Sequence, residues 1–157
     1  MTALPLPLKT PTDSPAGRAR LFASLILAVS FLGLLDTSYL VAKRLLGGPV
    51  KCFLVEGCDT VTTSQYSLIF GVIPVAWLGF LFYLTVFFIT FGYLETGWPR
   101  LKQAVLGLSV TGLAVSVWFT YVQAAIISAY CTYCLVSAAT STFIFILVVL
   151  LFRQKSN

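Results

Sequence analysis

The stretch from Gln103 to Phe152 reads QAVLGLSVTGLAVSVWFTYVQAAIISAYCTYCLVSAATSTFIFILVVLLF and holds no Asp, Glu, Lys or Arg in its 50 residues. A helix that crosses a membrane needs about 20 apolar residues, so this run is too long for one span and long enough for two. The polar and small residues from Ser128 to Cys131 mark the predicted break. The break predicts two spanning helices of roughly 25 and 22 residues.

Two further apolar runs precede this stretch. One extends from Leu21 to Ala42, with Asp36 as its only charge, and the other covers roughly Ser67 to Tyr93. The chain is 59% hydrophobic and 10% charged, whereas soluble domains hold about 25% charged residues. The sequence therefore predicts an all-α, integral membrane four-helix bundle that forms one domain over residues 21–152.

The distribution of Lys and Arg predicts the orientation of the four spans, because basic residues concentrate on the cytoplasmic side. Seven lie in the two terminal tails and the second connection: Lys9, Arg18, Arg20, Arg100, Lys102, Arg153 and Lys155. Three lie on the opposite side: Lys43, Arg44 and Lys51. An even number of spans puts both termini in the cytoplasm.

Two short tails flank the predicted bundle. The proline-rich segment 1–20 is predicted to be a disordered cytoplasmic tail, and residues 153–157 form the second. The net charge of +5 follows from the topology, so it does not predict nucleic acid as a partner. Membrane lipid is the expected partner of the apolar spans.

Four cysteines lie where the predicted helices end on the exoplasmic side. Cys131 and Cys134 form a CxxC motif at the start of the fourth helix. Cys52 and Cys58 lie in the connection of residues 47–66, which is the only sizeable polar connection. Disulfides persist in exoplasmic compartments, so this placement favours thiol chemistry.

Glycine, proline and capping residues indicate where the helices begin and end. Gly47-Gly48-Pro49 ends the first helix, and Asp59 is predicted to cap a short interfacial helix. Gly71 and Pro74 fall early in the predicted second span, where membrane helices tolerate them if neighbours satisfy the freed backbone groups.

Three explanations compete for the cysteines. Structural disulfides are one, but a CxxC motif closes too short a loop to stabilise a fold much. A zinc site with four thiolate ligands is the second, but the chain has no His and no second CxxC. Redox exchange is favoured, because CxxC spacing and helix N-termini both lower thiol pKa values. A lipid-soluble quinone is the electron acceptor that a membrane bundle can reach, and no metal is expected.

Asp36 is the only acidic residue inside a predicted span. Intramembrane charges are functional candidates by default. Lys43 lies two turns further along the same helix face, so an ion pair that anchors the helix is the favoured explanation.

The order of these motifs resembles the vitamin K epoxide reductase family, in its bacterial branch. The resemblance covers the chain from about Leu21 to Phe152. It rests on the following stretches in this order: Asp36-Thr37-Ser38-Tyr39-Leu40, Cys52-x5-Cys58, Ser64, Gly71…Pro74…Gly79…Tyr83 and Cys131-Thr132-Tyr133-Cys134.

The resemblance implies a role for each site residue. Cys131 and Cys134 match the family's active-site pair, Cys52 and Cys58 match its loop shuttle pair, and Ser64 matches its loop hydroxyl near the quinone. The implied relay begins when a reduced thioredoxin-fold protein attacks Cys52. Freed Cys58 then attacks Cys131, and Cys134 passes the electrons to quinone.

The implied function is a thiol:quinone oxidoreductase that supports disulfide bond formation in a bacterial inner membrane. Its cofactor is ubiquinone or menaquinone. Some family members carry a fused thioredoxin-like domain, whereas this sequence ends at Asn157, so a separate DsbA-like protein is the expected partner.

Alternatives remain at this point. The same cysteines could reduce a quinone epoxide, and a non-enzymatic membrane scaffold or metal-binding subunit is a third possibility. The DsbB class also has four helices, two cysteine pairs and a quinone, but it carries the CxxC motif in its first exoplasmic loop. The order here is the opposite.

Overall fold

The computed structural model of the protein describes residues 15–48, 50, 52, 57–69 and 72–154. Its elements, in chain order, are α1 (Pro15–Leu46), α2 (Cys58–Thr63), a 3₁₀ turn (Gln65–Ser67), β1 (Leu68–Ile69), β2 (Ile73–Pro74), α3 (Val75–Thr96), α4 (Pro99–Tyr121), a π-helical turn (Val122–Ile127) and α5 (Thr132–Arg153). Within these described residues, four helices are long and apolar enough to cross a membrane: α1, α3, α4 with its π-helical turn, and α5. The predicted all-α four-helix bundle is confirmed, and the protein is an integral membrane protein.

The four spanning helices form a ring in which α1 packs against α3 and α5, and α4 packs against the same two helices. The core of the ring is built from Ile26, Tyr83, Val86, Val105, Ile144, Val148 and Leu151. Large apolar side chains on the outer faces remain exposed, among them Leu32, Phe88 and Phe143 at 59%, 62% and 60%. A bilayer covers such faces, because helices satisfy their own backbone hydrogen bonds in lipid.

The first helix begins before the predicted boundary. α1 starts at Pro15, so residues 15–20 of the predicted disordered tail are helical, and residues 1–14 lie outside the described residues. Proline is favoured at the first position of a helix, because its fixed φ is helical and the N–H that it lacks would have no partner there.

The second span begins later than Ser67, which corrects the predicted boundary. β1 and β2 form a small antiparallel hairpin that pairs Leu68 with Pro74. Pro74 is the N-cap of α3 and is extended, with φ −61° and ψ 132°. It therefore precedes the membrane helix, while Gly71 lies outside the described residues.

The predicted break in the uncharged run is confirmed. The π-helical turn ends at Ser128, which adopts a left-handed conformation with φ 54°. The chain then reverses, and Cys131 becomes the N-cap of α5. This reversal brings the CxxC motif to the same end of the bundle as α2.

Basic residues separate between the two ends of the bundle. At one end, the Lys102 ammonium lies 4.5 Å from the centre of the Phe152 ring, so the start of α4 is beside the end of α5. Lys43 and Arg44 lie in the last turn of α1, at the cysteine end. All described cysteines therefore share one end of the bundle.

Candidate thiol-redox site

The two cysteine pairs meet in one apolar cluster. Cys58 and Cys131 are buried in it together with Leu40, Val50 and Val61. Cys52 and Cys134 pack against the same cluster. The fold thus brings the loop pair and the CxxC pair together at the cysteine end of the bundle.

Cys52 and Cys58 form a disulfide with a Cα–Cα distance of 5.5 Å. The backbone N–H of Cys58 also donates to the Cys52 sulfur, with a distance of 3.1 Å. Cys58 opens α2, and Gly57 is the N-cap of this helix. Asp59 was the predicted cap; it lies instead in the first turn of α2, where a negative charge favours the helix dipole.

Gly57 explains how α2 approaches the CxxC motif so closely. A Cβ atom at this position would lie 2.6 Å from the Tyr130 carbonyl oxygen and 3.0 Å from the Tyr130 nitrogen. The two backbones are therefore in direct contact, and only glycine fits. This contact holds the start of α2 against the residue that precedes Cys131.

Cys131 and Cys134 are free thiols at the start of α5. The Cys131 carbonyl accepts a hydrogen bond of 3.0 Å from the backbone N–H of Leu135. A hydrogen bond from the Cys134 side chain lowers the pKa of Cys131. The geometry is that of a CxxC pair in which the first cysteine becomes the more acidic thiol.

The four sulfurs differ in accessibility in an ordered way. Cys52 is half-buried, whereas Cys58 and Cys131 are 1% and 0% exposed. Cys134 is half-buried and is the only one of the four that lines a large internal cavity. Cys52 and Cys134 are therefore the more accessible member of each pair, and Cys58 and Cys131 are the members that share the buried cluster.

Gln123 is a site residue that the sequence analysis did not identify. Its side-chain carbonyl accepts the backbone N–H of Cys131 at 2.9 Å, and its amide N–H donates to the Phe119 carbonyl at 3.3 Å. Gln123 is 2% exposed, so its amide fixes the start of α5 inside the bundle. A single amide deep in an uncharged run was the available signal, because a buried amide needs partners.

The cavity has a volume of about 890 Å³ and extends from the cysteine end into the bundle. Most of its wall is apolar, and hydroxyl groups and two basic residues interrupt the wall. The polar groups on the wall include Ser64, Ser137, Ser141 and Cys134. This volume lies within the range of ligand pockets, about 300–1,000 Å³.

Ser64 lines this cavity between α2 and the 3₁₀ turn. Its hydroxyl donates to the Val61 carbonyl at 2.8 Å and caps neither adjoining helix. A serine at the start of a helical turn commonly caps a nearby backbone N–H, and Ser64 does not have this role here. A hydroxyl at this position can rotate away from Val61, because its hydrogen is free to turn about the C–O bond.

Comparison with known proteins decides the family. The model of the vitamin K epoxide reductase family matches residues 24–149. The chain belongs to this family.

A curated relative of this family member is the Arabidopsis thaliana protein named Thiol-disulfide oxidoreductase LTO1. The two are 32% identical over 122 residues, which make up 73% of this chain and 32% of the relative. This family member therefore spans about a third of the length of that relative.

The predicted ion pair of Asp36 does not form in this family member. The Lys43 ammonium lies over the Tyr39 ring instead, 5.8 Å from its centre. Among the described residues, the buried oxygen Oδ2 of Asp36 has no hydrogen-bond partner. Among the same residues, no group of three or more His, Cys, Asp or Glu side chains could hold a metal ion.

Proposed function

We propose that this family member is a membrane thiol:quinone oxidoreductase that reoxidises a separate thioredoxin-fold, DsbA-like protein and so supports disulfide bond formation. The observation that carries the proposal is the ordered burial of the four sulfurs. Cys52 is half-buried, Cys58 and Cys131 are buried in one cluster, and Cys134 lines the cavity. A relay needs such an order, because each sulfur must reach only its neighbour.

The relay proceeds by thiolate attack on disulfides. A partner thiolate attacks Cys52 and releases Cys58, which attacks Cys131 of the oxidised CxxC pair and releases Cys134. The second thiol of the partner then frees Cys52. Cys52 attacks Cys58, which restores the loop disulfide and leaves Cys131 and Cys134 reduced. The partner has then lost two electrons, and the CxxC pair has gained them.

The cavity supports a quinone, ubiquinone or menaquinone, as the electron acceptor. A bound quinone would take up the two electrons of the dithiol together with two protons. Val75, Leu78 and Phe82 supply apolar wall that suits a flat ring. The Ser64 hydroxyl would donate a hydrogen bond to a quinone carbonyl. Cys134 lines the same cavity and would be the sulfur nearest to the bound quinone.

We also propose that the cysteine end faces the exoplasmic side of a bacterial inner membrane. Five described basic residues lie toward the opposite end: Arg18, Arg20, Arg100, Lys102 and Arg153. Two lie at the cysteine end: Lys43 and Arg44. Basic residues favour the cytoplasmic side, and disulfides persist on the other.

A thiol count on fully reduced protein in detergent tests the proposed activity. The chain holds four cysteines, so the relay predicts the loss of all four thiols and the reduction of two molecules of a water-soluble quinone analogue. Protein incubated without the quinone under argon is the control. A thiol loss that is equal with and without quinone would exclude a quinone-linked function and leave a scaffold.

Ser64→Ala separates a ligand role from a structural one. If the hydroxyl donates to a developing negative charge on the quinone, its loss should lower the rate of quinone reduction about 10²-fold. If the hydroxyl only bonds the Val61 carbonyl, the loss should cost about 1 kcal/mol of stability with near-normal turnover.

The measurements for this variant are quinone-reduction kinetics and thermal unfolding in the same detergent. Ser67→Ala is a matched control, because the Ser67 hydroxyl also lines the cavity and donates to a backbone carbonyl, that of Ser64, at 2.7 Å. Equal rates in the two variants would contradict the proposed contact between Ser64 and the quinone.

A further inference from the structure

Contacts along α1 give the depth of Asp36 in the bundle. Gly33, nearly one turn before Asp36, packs against the Tyr83 ring, and the Tyr83 hydroxyl donates to the Ser137 carbonyl of α5 at 2.7 Å. Leu40, about one turn after Asp36, belongs to the cluster that contains Cys131. Asp36 therefore lies at the level between Cys131 and Ser137.

Cys134 occupies this level on α5. The neighbouring ring of Tyr133 stacks on Tyr39 of α1, with a centre-to-centre distance of 4.9 Å, so this part of α1 lies against the first turn of α5. The Asp36 carboxylate interacts electrostatically with both thiols of the CxxC pair. The carboxyl group thus lies at the level of the reacting pair and within electrostatic range of it.

The Asp36 carboxyl group has a buried oxygen that no described residue satisfies. Oδ2 of Asp36 is buried and has no hydrogen-bond partner among the described residues, and Lys43 is held over Tyr39. A buried polar oxygen without a partner costs about 1–3 kcal/mol. A carboxyl group that is present in a membrane span despite this cost is a functional candidate.

We propose that Asp36 exchanges a proton with Cys134 in each turnover; this rests on the proposed thiol activity of the CxxC pair. When the Cys131–Cys134 disulfide is reduced, its S–S bond breaks, the electron pair leaves on Cys134, and the O–H proton of Asp36 moves to that sulfur. When the disulfide forms again, the Cys134 thiol proton returns to the carboxylate and two electrons leave to the quinone, which takes up the Cys131 proton and one proton from water.

The exchange prevents two negative charges from being buried together. A thiolate and a carboxylate close to each other would place two negative charges in a region of low dielectric, which is costly. In the disulfide state Asp36 holds the proton and neither group is charged, and in the reduced state the one proton between Asp36 and Cys134 leaves a single negative charge. Among the described residues, the other ionisable groups that interact with Asp36 are Tyr83 of α3, Cys131, and Tyr133 of α5, and Tyr39 of α1 stacks on Tyr133.

The test uses the full chain in detergent with Cys52, Cys58 and Cys131 replaced by serine, so that Cys134 is the sole thiol. Methyl methanethiosulfonate, a small neutral reagent, reports on deprotonation. The thiolate attacks the sulfur of the reagent, a new S–S bond forms, and methanesulfinate leaves with the electron pair. The rate is measured between about pH 5 and 9, with and without Asp36→Asn. No quinone is present, so the result is independent of quinone use.

Asp36→Asn is expected to slow the modification of Cys134 about 10²-fold near neutral pH, the lower end of general-base effects. The difference should vanish at alkaline pH, where hydroxide removes the proton. Asp59→Asn is the matched control, because it removes an exposed carboxylate from the cavity wall, and it should follow the parent protein.

A purely electrostatic role for Asp36 predicts the opposite sign, because removal of a negative charge favours the thiolate. Equal or faster modification in Asp36→Asn at every pH would therefore overturn the proposal. If Asp36→Asn does not fold, the variant that keeps Asp36 and has Cys134 as its sole thiol provides the test. Its rate of modification must reach a plateau at a pH below the usual pKa range of thiols. A rate that rises only with the hydroxide concentration would also overturn the proposal.

Discussion

Replacing Cys134 by alanine is expected to abolish quinone-dependent thiol oxidation with every electron donor, whether a protein or a small dithiol. Among the described residues, Cys134 is the only cysteine that lines the cavity, and Cys131 is fully buried in the cluster with Cys58. Without Cys134, electrons that reach Cys131 have no sulfur from which to enter the cavity. The measurement is quinone reduction under anaerobic conditions, with the DsbA-like partner or dithiothreitol as donor.

A second readout in this variant tests the contact between the pairs. The lone Cys131 thiolate can attack Cys58 and expel Cys52, which forms a Cys58–Cys131 disulfide. Peptide mass spectrometry should detect this bond after mild oxidation. Ser137→Ala, one turn further along the same face, is the control, and it should retain turnover. Turnover in Cys134→Ala above a tenth of the wild-type rate would contradict the assigned order.

Replacing Cys52 by alanine is expected to separate the two kinds of donor. Oxidation of the protein partner should be lost, because Cys52 is the accessible sulfur of the loop pair and Cys58 is 1% exposed. A small dithiol should still be oxidised, because it can enter the cavity and attack Cys134 directly. Parallel assays with the two donors measure this ratio, and equal losses with both would contradict the relay.

The break between the third and fourth spans was predictable because it depends only on length. A 50-residue uncharged run exceeds one membrane crossing, and the polar residues near Ser128 mark the reversal. The start of α3 was not predictable in this way. Leu68, Ile69 and Ile73 are as apolar as a membrane helix, so hydropathy cannot distinguish their small hairpin from a span.

At the cysteine end, too, some features were predictable from the sequence and others were not. The CxxC motif and the loop pair were predictable from spacing and topology, and the structure brings both pairs into one cluster. The contact between Gln123 and the Cys131 backbone N–H depends on a π-helical turn, which no periodicity indicates. The absence of a pair between Asp36 and Lys43 has a physical reason as well, because a long ammonium side chain reaches toward the interface and stacks on Tyr39.

The backbone contact between Gly57 and Tyr130 has a kinetic consequence. It holds Cys58 beside Cys131 at a high effective concentration, so exchange between the two pairs is intramolecular and needs no diffusion. We expect the pairs to equilibrate with each other faster than either one exchanges with its outside reactant. The protein then acts as a single reservoir for four electrons. Such a reservoir can accept a second reduced partner while the first electron pair still waits for an empty quinone to arrive.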